Sequence, residues 1–249
     1  MKLTKSCYAV MGFGYSPPWV VNAGFIVGQS STLIIDAGPN KLSAQTLYGY
    51  AQSPKTDNKI IVVNTEKHLD HLGGNSFFRS KGIDIYGCVG INRITDDLSV
   101  DLDEMNQSIQ NEKRRALREE RISFEGTEIV NPNKIVKPGD SFDLGNIKAD
   151  LIFTPGHTLT NISIYQKDDK VLYSGDCIVG KYLPNLEAGN KNDWGKWLNS
   201  LELISSLDLN FVVPGHGNVL EGPEIRNEIN RIKKILEIAI KENKPPTSS

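Results

Sequence analysis

The chain has 249 residues and carries 28 Lys and Arg against 30 Asp and Glu, which gives a formal net charge of −2. This length suits one large α/β domain or two small ones, and it is sufficient to bury a core. The near balance of charge argues against a nucleic-acid partner and against an anionic membrane surface.

The cysteines Cys7, Cys88 and Cys177 are odd in number and far apart in the sequence. A disulfide framework is therefore not expected, and a reducing compartment is the natural setting. The first residues contain no apolar stretch long enough for a signal-peptide core, and no segment approaches the length of a membrane span. We expect a soluble, cytoplasmic protein.

Short apolar runs bounded by Gly, Pro or Asn recur along the chain, as expected for buried strands. In order they are NAGFIVG, TLIIDAG, KIIVVNT, IDIYGCVG, ADLIFTPG, ISIYQ, KVLYSGD and NFVVPG. The segments between them favour helices at residues 41–52, 101–121, 194–206 and 223–243. This arrangement predicts a layered α/β fold with a single domain over residues 1–243 and a frayed tail at residues 244–249.

Residues 101–120 are highly charged and have only a thin apolar side. A solvated helix is the simpler interpretation of this segment. The alternative is a cover over the mouth of a site, because long excursions often form lids.

All four histidines follow the ends of predicted strands. His68 and His71 stand in IIVVNTEKHLDH, His157 in LIFTPGHT and His216 in FVVPGHG, while Asp176 follows a fourth strand in VLYSGDC. In layered α/β folds, loops at the carboxyl ends of strands project such side chains from a rigid base. Imidazole and carboxylate together suit zinc, with manganese and iron as alternatives. The sequence therefore predicts a metal site.

Read in order, the segments NTEKHLDHLGGN, TPGHT, SGDC and VPGHG resemble the motifs of the metallo-β-lactamase superfamily, whose first motif usually runs His-x-His-x-Asp-His. The segment NAGFIVGQSSTLIIDAG is similar to the opening hairpin of that family, so the resemblance covers the chain from about Asn22 to Gly217. It implies a four-layer αββα sandwich with two divalent metal ions in a cleft.

The resemblance also implies a role for each motif residue. The first metal would be bound by His68 and His157, the second by Asp70, His71 and His216, and Asp176 would bridge the two. Asp70 would in addition act in catalysis by orienting the attacking hydroxide. Glu66 stands where the family's first motif histidine is expected and departs from the common pattern.

The departure at Glu66 changes the charge of the site. Asp70, Asp176 and a bridging hydroxide remove three of the four positive charges of two divalent ions, and Glu66 removes the fourth. A neutral metal pair is a weaker Lewis acid, and the extra carboxylate favours manganese or iron at the first position. We interpret Glu66 as a ligand of a working site; the alternative is a relic that leaves this metal weakly held.

Several further residues are candidates around the site. Cys177 is either an additional metal ligand or a packing residue. Lys181 and Tyr182 follow the Asp176 turn and could reach a substrate carboxylate, although an exposed lysine is the simpler interpretation of Lys181. The aromatic residues Phe13, Tyr15 and Trp19, in or beside a Gly- and Pro-rich stretch, are candidates for an apolar flap or for ordinary packing.

The expected function is hydrolysis of an ester, thioester, lactone or amide bond in a small molecule by a metal-bound hydroxide, in the manner of glyoxalase II or a lactonase. The first alternative is a β-lactamase, which Cys177 and Lys181 favour and the lack of a signal-peptide core disfavours. The second is an iron-dependent redox member of the same superfamily. The sequence contains no basic run large enough to steer a nucleic acid, and it leaves the oligomeric state open.

Overall fold

The computed structural model describes residues 1–13, 20–94, 127–186 and 189–245. The strands in these ranges are β1 Cys7–Phe13, β2 Val21–Val27, β3 Ser31–Ile35, β4 Lys59–Val63, β5 Ile85–Cys88, β6 Lys134–Val136, β7 Ser141–Asp143, β8 Lys148–Phe153, β9 Ile162–Gln166, β10 Val171–Val179, β11 Phe211–His216 and β12 Leu220–Glu221. The helices are α1 Lys41–Gln52, α2 Leu69–Leu72, α3 Asn75–Ser80, α4 Lys191–Ser205 and α5 Pro223–Glu242. The predicted helix at residues 101–121 lies outside the described residues.

The described strands form one mixed sheet in the order β6-β5-β4-β3-β2-β11-β10-β9-β8-β7, with β1 added to β2 and β12 added to β11. Strands β3 to β6 run parallel to one another, as do β10 and β11. At the centre, β2 pairs with β11 through Val21 and His216. This narrow junction divides the sheet into two halves.

Neighbouring residues on the strands show how the layers are stacked, because successive side chains of a strand point to opposite faces. Leu33 of β3 belongs to a core between the two sheet halves, whereas Ile34 belongs to a core beneath α1 and α3. On the other half, Tyr173 of β10 joins the central core and Leu172 packs beneath α4 and α5. The order helix, sheet, sheet, helix confirms the predicted αββα sandwich.

Each of the eight apolar runs contains a strand, and the helix predicted at residues 41–52 has those bounds in the structure. Helix α4 begins at Lys191, three residues before the predicted start, because the Asn190 side chain caps it by accepting a hydrogen bond from the amide of Asn192 at 2.9 Å. Helix α5 ends at Glu242, and Asn243 follows in a left-handed conformation. Helices α2 and α3 were not predicted, since four and six residues are too few to show helical periodicity.

The topology brings the predicted site residues to one edge of the sheet. Strand β11 is antiparallel to β2, which is antiparallel to β3, so β3, β4, β10 and β11 all end at the same edge. Strand β8 also ends there, because two antiparallel pairings separate it from β10. We call this the carboxyl edge; it contains the strand ends at Val63, Phe153, Val179 and His216. In the described part of the chain, no helix has the length and apolar character needed to cross a membrane.

Candidate metal centre

Seven polar side chains meet at the carboxyl edge in two groups. The first group contains Glu66, His68, His157 and Asp176, and the second contains Asp70, His71 and His216. Each residue offers one ligand atom, and these atoms lie within 4.8 Å of one another inside each group. All seven are buried except His68, which is partly exposed.

The short helix α2 separates the neighbouring motif residues into the two groups. His68 precedes the helix in an extended conformation, with φ −71° and ψ 152°, and lies with Glu66 in the first group. Asp70 and His71 lie within the single helical turn and therefore leave the chain in other directions. The segment after β4, with its single helical turn, thus supplies side chains to both groups.

In the first group, the polar atoms are within direct contact of one another. The Nδ1 atom of His68 lies 2.8 Å from Oε1 of Glu66 and 3.1 Å from Nε2 of His157. The same Nε2 atom of His157 lies 3.4 Å from Oδ2 of Asp176. Two imidazoles and two carboxylates are a ligand set that can bind a metal ion with tetrahedral geometry.

Asp176 also faces the second group. Its Oδ1 lies 3.2 Å from Nε2 of His71, and its Oδ2 lies 3.3 Å from Nε2 of His216. The Nε2 atom of His216 is 3.4 Å from Oδ2 of Asp70. The Asp176 carboxylate therefore lies between the two groups.

Several of these buried atoms lack a hydrogen-bond partner among the described residues. They are Oε2 of Glu66, Nε2 of His71, Nδ1 of His157 and Oδ1 of Asp176; Nε2 of His71 and Oδ1 of Asp176 are in charge contact at 3.2 Å but do not have hydrogen-bond geometry. A buried polar atom left without a partner costs about 1–3 kcal/mol. Oε2 of Glu66 lies in the first group and Nε2 of His71 in the second, with Oδ1 of Asp176 between them, and these three atoms are ligand types that divalent cations at the two groups would satisfy.

Asp36 contacts the ring nitrogen of His71 that faces away from the centre, and its role was not predicted from the sequence. Its Oδ2 lies 2.9 Å from Nδ1 of His71, which leaves Nε2 to face the centre. The backbone amide and hydroxyl of Thr65 donate to the same carboxylate at 2.7 and 2.8 Å. Carboxylates in this position orient metal-binding imidazoles. The signal available in the sequence was an Asp directly after the apolar run TLII.

Comparison with known proteins gives the family. A family model described as the metallo-beta-lactamase superfamily matches residues 16–216. The chain belongs to the metallo-β-lactamase superfamily. This membership confirms the family and the enzyme class predicted from the motifs, a metal-dependent hydrolase. The two residue groups are compatible with divalent metal ions.

Two curated members and one solved structure illustrate the relationship. The chain is 24% identical over 253 residues to a beta-lactamase-like protein 2 homolog from Caenorhabditis elegans, covering 99% of this chain and 75% of that protein. It is 24% identical over 206 residues to acyl-coenzyme A thioesterase MBLAC2 from Gallus gallus, covering 80% and 73%. A metallo-β-lactamase family protein from Thermus thermophilus superposes with a TM-score of 0.70 at 17% identity, covering 97% and 82%.

The electrostatics of this superfamily site couple the carboxylates to the imidazoles. Burial alone would lower the pKa of His71, but Asp36, Asp176 and Asp70 outweigh it and hold the pKa well above its usual value. Burial would raise the pKa of Asp176, yet His216 and His71 outweigh it and keep the pKa well below its usual value. Burial likewise opposes the effect of His71 and His216 on Asp70, whose pKa falls to about 2. Protons and cations therefore compete for this centre.

This competition predicts a pH-dependent effect of metal on thermal stability. The raised pKa of His71 means that its proton stabilises the chelator-treated fold most fully below the unfolded value of about 6.5. The depressed pKa of Asp176 means that its charge stabilises the same fold above about pH 4 and is lost as the pH falls further. Metal must displace the imidazole proton, so we expect the difference in Tm between metal-loaded and chelator-treated protein to be larger at pH 8 than at pH 5.5. An equal or smaller difference at pH 8 would contradict this coupling.

Gly215 permits the close approach of β11 to Asp176. A Cβ atom at this position would overlap Oδ1 of Asp176. We expect Gly215→Ala to displace the carboxylate and to weaken metal binding by about 10- to 100-fold, measured by competition with a chromophoric chelator. Gly195→Ala in α4 is the control, because a Cβ there meets no neighbouring atom and metal affinity should be unchanged. Equal affinities for the two variants would refute this role of Gly215.

Cys177 does not reach either residue group. It follows Asp176 in β10 and therefore points to the opposite face, where it is fully buried in the core beneath α4 and α5. Burial raises the pKa of its thiol above the usual value. The indole nitrogen of Trp197 donates to its carbonyl at 2.8 Å. The placement of Cys177 is that of a packing residue.

The candidate substrate contacts lie at or near the carboxyl edge where they are described. Lys181 is exposed and Tyr182 is half-buried in the segment directly after β10. Phe13 ends β1, which runs parallel to β3 across two antiparallel pairings, and it is half-buried at the same edge. Tyr15 and Trp19 lie outside the described residues. The roles of all five as substrate contacts stay predictions.

Proposed function

We propose that this protein is a dinuclear metal-dependent hydrolase that cleaves acyl thioesters. The observation that carries this proposal is the position of the Asp176 carboxylate between two buried ligand groups. Thioester substrates are supported by the relative named as an acyl-coenzyme A thioesterase and by the resemblance of the motifs to glyoxalase II. Ester and lactone cleavage would use the same centre.

The ligand groups assign the metal positions. We infer that the first metal is held by Glu66, His68 and His157, the second by Asp70, His71 and His216, and that Asp176 bridges them. Zinc suits the four imidazoles, whereas the three carboxylates keep manganese and iron as alternatives. The three cysteines are buried and unpaired, which supports a reducing, cytoplasmic location.

The chain's own residues prepare the reaction in three ways. When bound, the two metals would polarise a carbonyl oxygen and lower the pKa of a water molecule. Asp176 lies between the two residue groups and would hold both metals, and Asp36 accepts the hydrogen bond from Nδ1 of His71, which leaves Nε2 for the second metal. Asp70, at 3.4 Å from His216, is the carboxylate available to orient the attacking oxygen. These contacts keep the centre preorganised before substrate binds.

Exposed apolar side chains at the carboxyl edge favour an apolar acyl group. Leu159 follows His157 by two residues and is 58% exposed, and Leu183 follows β10 and is 50% exposed. Both residues lie in loops that leave the carboxyl edge, after β8 and after β10, and we infer that an apolar acyl chain contacts them there. We expect Leu159→Ser with Leu183→Ser to raise KM for octanoyl thioesters about tenfold and to leave KM for acetyl thioesters unchanged. Equal changes for both acyl lengths would refute this assignment.

A substrate panel combined with metal analysis tests the proposed function. The metal-loaded protein is assayed with acyl-coenzyme A and acyl-glutathione thioesters, a lactone, a β-lactam and a phosphodiester. We expect the thioesters to give the highest kcat/KM and a chelator to abolish turnover. Turnover that survives chelation, or a preference for the β-lactam, would contradict the proposal. Cys177 was one of the two residues that favoured a β-lactamase, and it packs in the core rather than at the residue groups.

A further inference from the structure

An ion pair on α5 holds the segment that follows Asp176 along the chain. We call residues 179–182 the β10 loop. Oε1 of Glu228 accepts hydrogen bonds from Nη2 and Nε of Arg231 at 2.6 and 3.0 Å. The same oxygen accepts a hydrogen bond from the backbone amide of Lys181 at 2.9 Å. The Glu228 side chain is 9% exposed, so this contact is largely shielded from water.

Arg231 holds the same loop through backbone carbonyls. Its Nη2 atom donates to the carbonyl of Tyr182 at 2.7 Å and to that of Val179 at 3.2 Å. Between these points Lys181 adopts φ 63°, a left-handed conformation that is costly for a residue with a Cβ atom. Such conformations persist where the surrounding structure holds them, and here both charges of the ion pair bind the loop backbone.

The β10 loop in turn contacts the backbone of His216. The amide of Gly180 donates to the carbonyl of His216 at 2.7 Å. The imidazole of His216 is held separately, since its Nδ1 lies 3.0 Å from the carbonyl of Val20. The backbone of this residue is therefore held by the β10 loop, and its side chain is held by Val20, the residue before β2.

We propose that Glu228 and Arg231 are positioning residues that hold His216 for the second metal through the β10 loop. The inference rests on the proposed function, because it assigns His216 to that metal. The Glu228 side chain is 9% exposed and that of Arg231 34%, and a partly buried ion pair gives little net stability after its desolvation cost, so stability alone is a weak reason for this pair. Its hydrogen bonds to three backbone groups of the β10 loop point instead to the control of geometry at the centre.

Stepwise metal affinity tests this proposal without relying on activity. Zinc is titrated into the chelator-treated full chain in competition with a chromophoric chelator, and the two dissociation constants are resolved. The constant of the second position is identified as the one that His71→Ala removes. We expect Arg231→Ala to weaken zinc at this position about tenfold and zinc at the first position less than twofold, the usual scale for residues behind a metal ligand. Lys233→Ala is the matched control, because Lys233 is a cation of the same helix whose ion pair, with Glu202 of α4 at 2.7 Å, lies outside the contacts that hold the β10 loop.

Two milder variants keep the test decisive if Arg231→Ala does not fold. Arg231→Lys keeps the positive charge but loses the planar guanidinium group with its several N–H donors. Glu228→Gln loses the negative charge but keeps a side-chain oxygen that can accept from the Lys181 amide. Both should weaken the second zinc more than the first. Unchanged affinities in the folded variants, or equal weakening of both sites together with a lower Tm, would overturn the positioning role. A wild-type chain that binds no second zinc would refute the proposed function itself, and with it this inference.

Discussion

Asp176→Asn is expected to remove metal from both positions and to abolish hydrolysis. The Asp176 carboxylate lies 3.2 to 3.4 Å from the imidazole nitrogens of His71, His157 and His216, so one substitution reaches both residue groups. Asparagine has nearly the same shape but no charge, and it cannot bridge two cations with equivalent oxygens. We expect each metal affinity to fall on the order of 100-fold, at or beyond the upper end for residues behind a ligand.

The measurement is the metal content of purified Asp176→Asn after dialysis, together with kcat/KM for the best thioester. Asp57→Asn is a suitable control, because Asp57 is exposed in the turn before β4. The control should retain both metals and full activity. Two metals per chain in Asp176→Asn would show that this carboxylate does not bridge the centre.

Glu66→His is expected to change the metal preference of the first position. Glu66 is fully buried, its Oε1 lies 2.8 Å from Nδ1 of His68, and its Oε2 makes no hydrogen bond in the described structure. Burial would raise its pKa, but His68, His71 and His157 outweigh this effect and lower it, so the group carries a negative charge. Replacing that charge with imidazole makes the first position softer and leaves the metal pair one unit more positive.

We therefore expect Glu66→His to favour zinc over manganese by about tenfold more than the wild-type chain does. The lost carboxylate charge acts equally on both divalent ions, so the change in preference comes from the softer imidazole donor, and a tenfold change corresponds to about 1.4 kcal/mol. The measurement is the ratio of the two metals bound from an equimolar mixture. The same ratio in both proteins would indicate that Glu66 does not contact the first metal.

The features predicted correctly from the sequence are those that depend on residues close together in the chain. Each apolar run contains a strand, because an apolar run is buried when it forms part of the sheet. The four histidines meet because the strands before them end at the same edge. The family motifs added the αββα arrangement, which the cores on both sides of Leu33 and Ile34 confirm. Local patterns and family motifs were therefore sufficient to predict the fold and the residues that form the two groups.

The features that were missed join residues far apart in the chain. Asp36 is 35 residues from His71, and Glu228 is 47 residues from Lys181, so neither contact leaves a spacing that a single sequence can show. The one-turn helix α2 is too short for periodicity, although it decides which group Asp70 and His71 join. The side to which Cys177 points follows from the alternation of β10 once the direction of Asp176 is known.

The number of metals per chain in the wild-type protein and in Glu66→Ala tests the central claim most directly. That claim is that Glu66 replaces a histidine as a ligand of a working two-metal centre. Both proteins are loaded with zinc, dialysed against metal-free buffer and analysed by mass spectrometry of the metal. The account predicts about two zinc ions per wild-type chain and about one per Glu66→Ala chain, since removal of a buried ligand leaves His68 and His157 with only the shared Asp176. Two ions in both proteins would contradict the ligand role of Glu66, and fewer than two in the wild-type chain would contradict the two-metal centre.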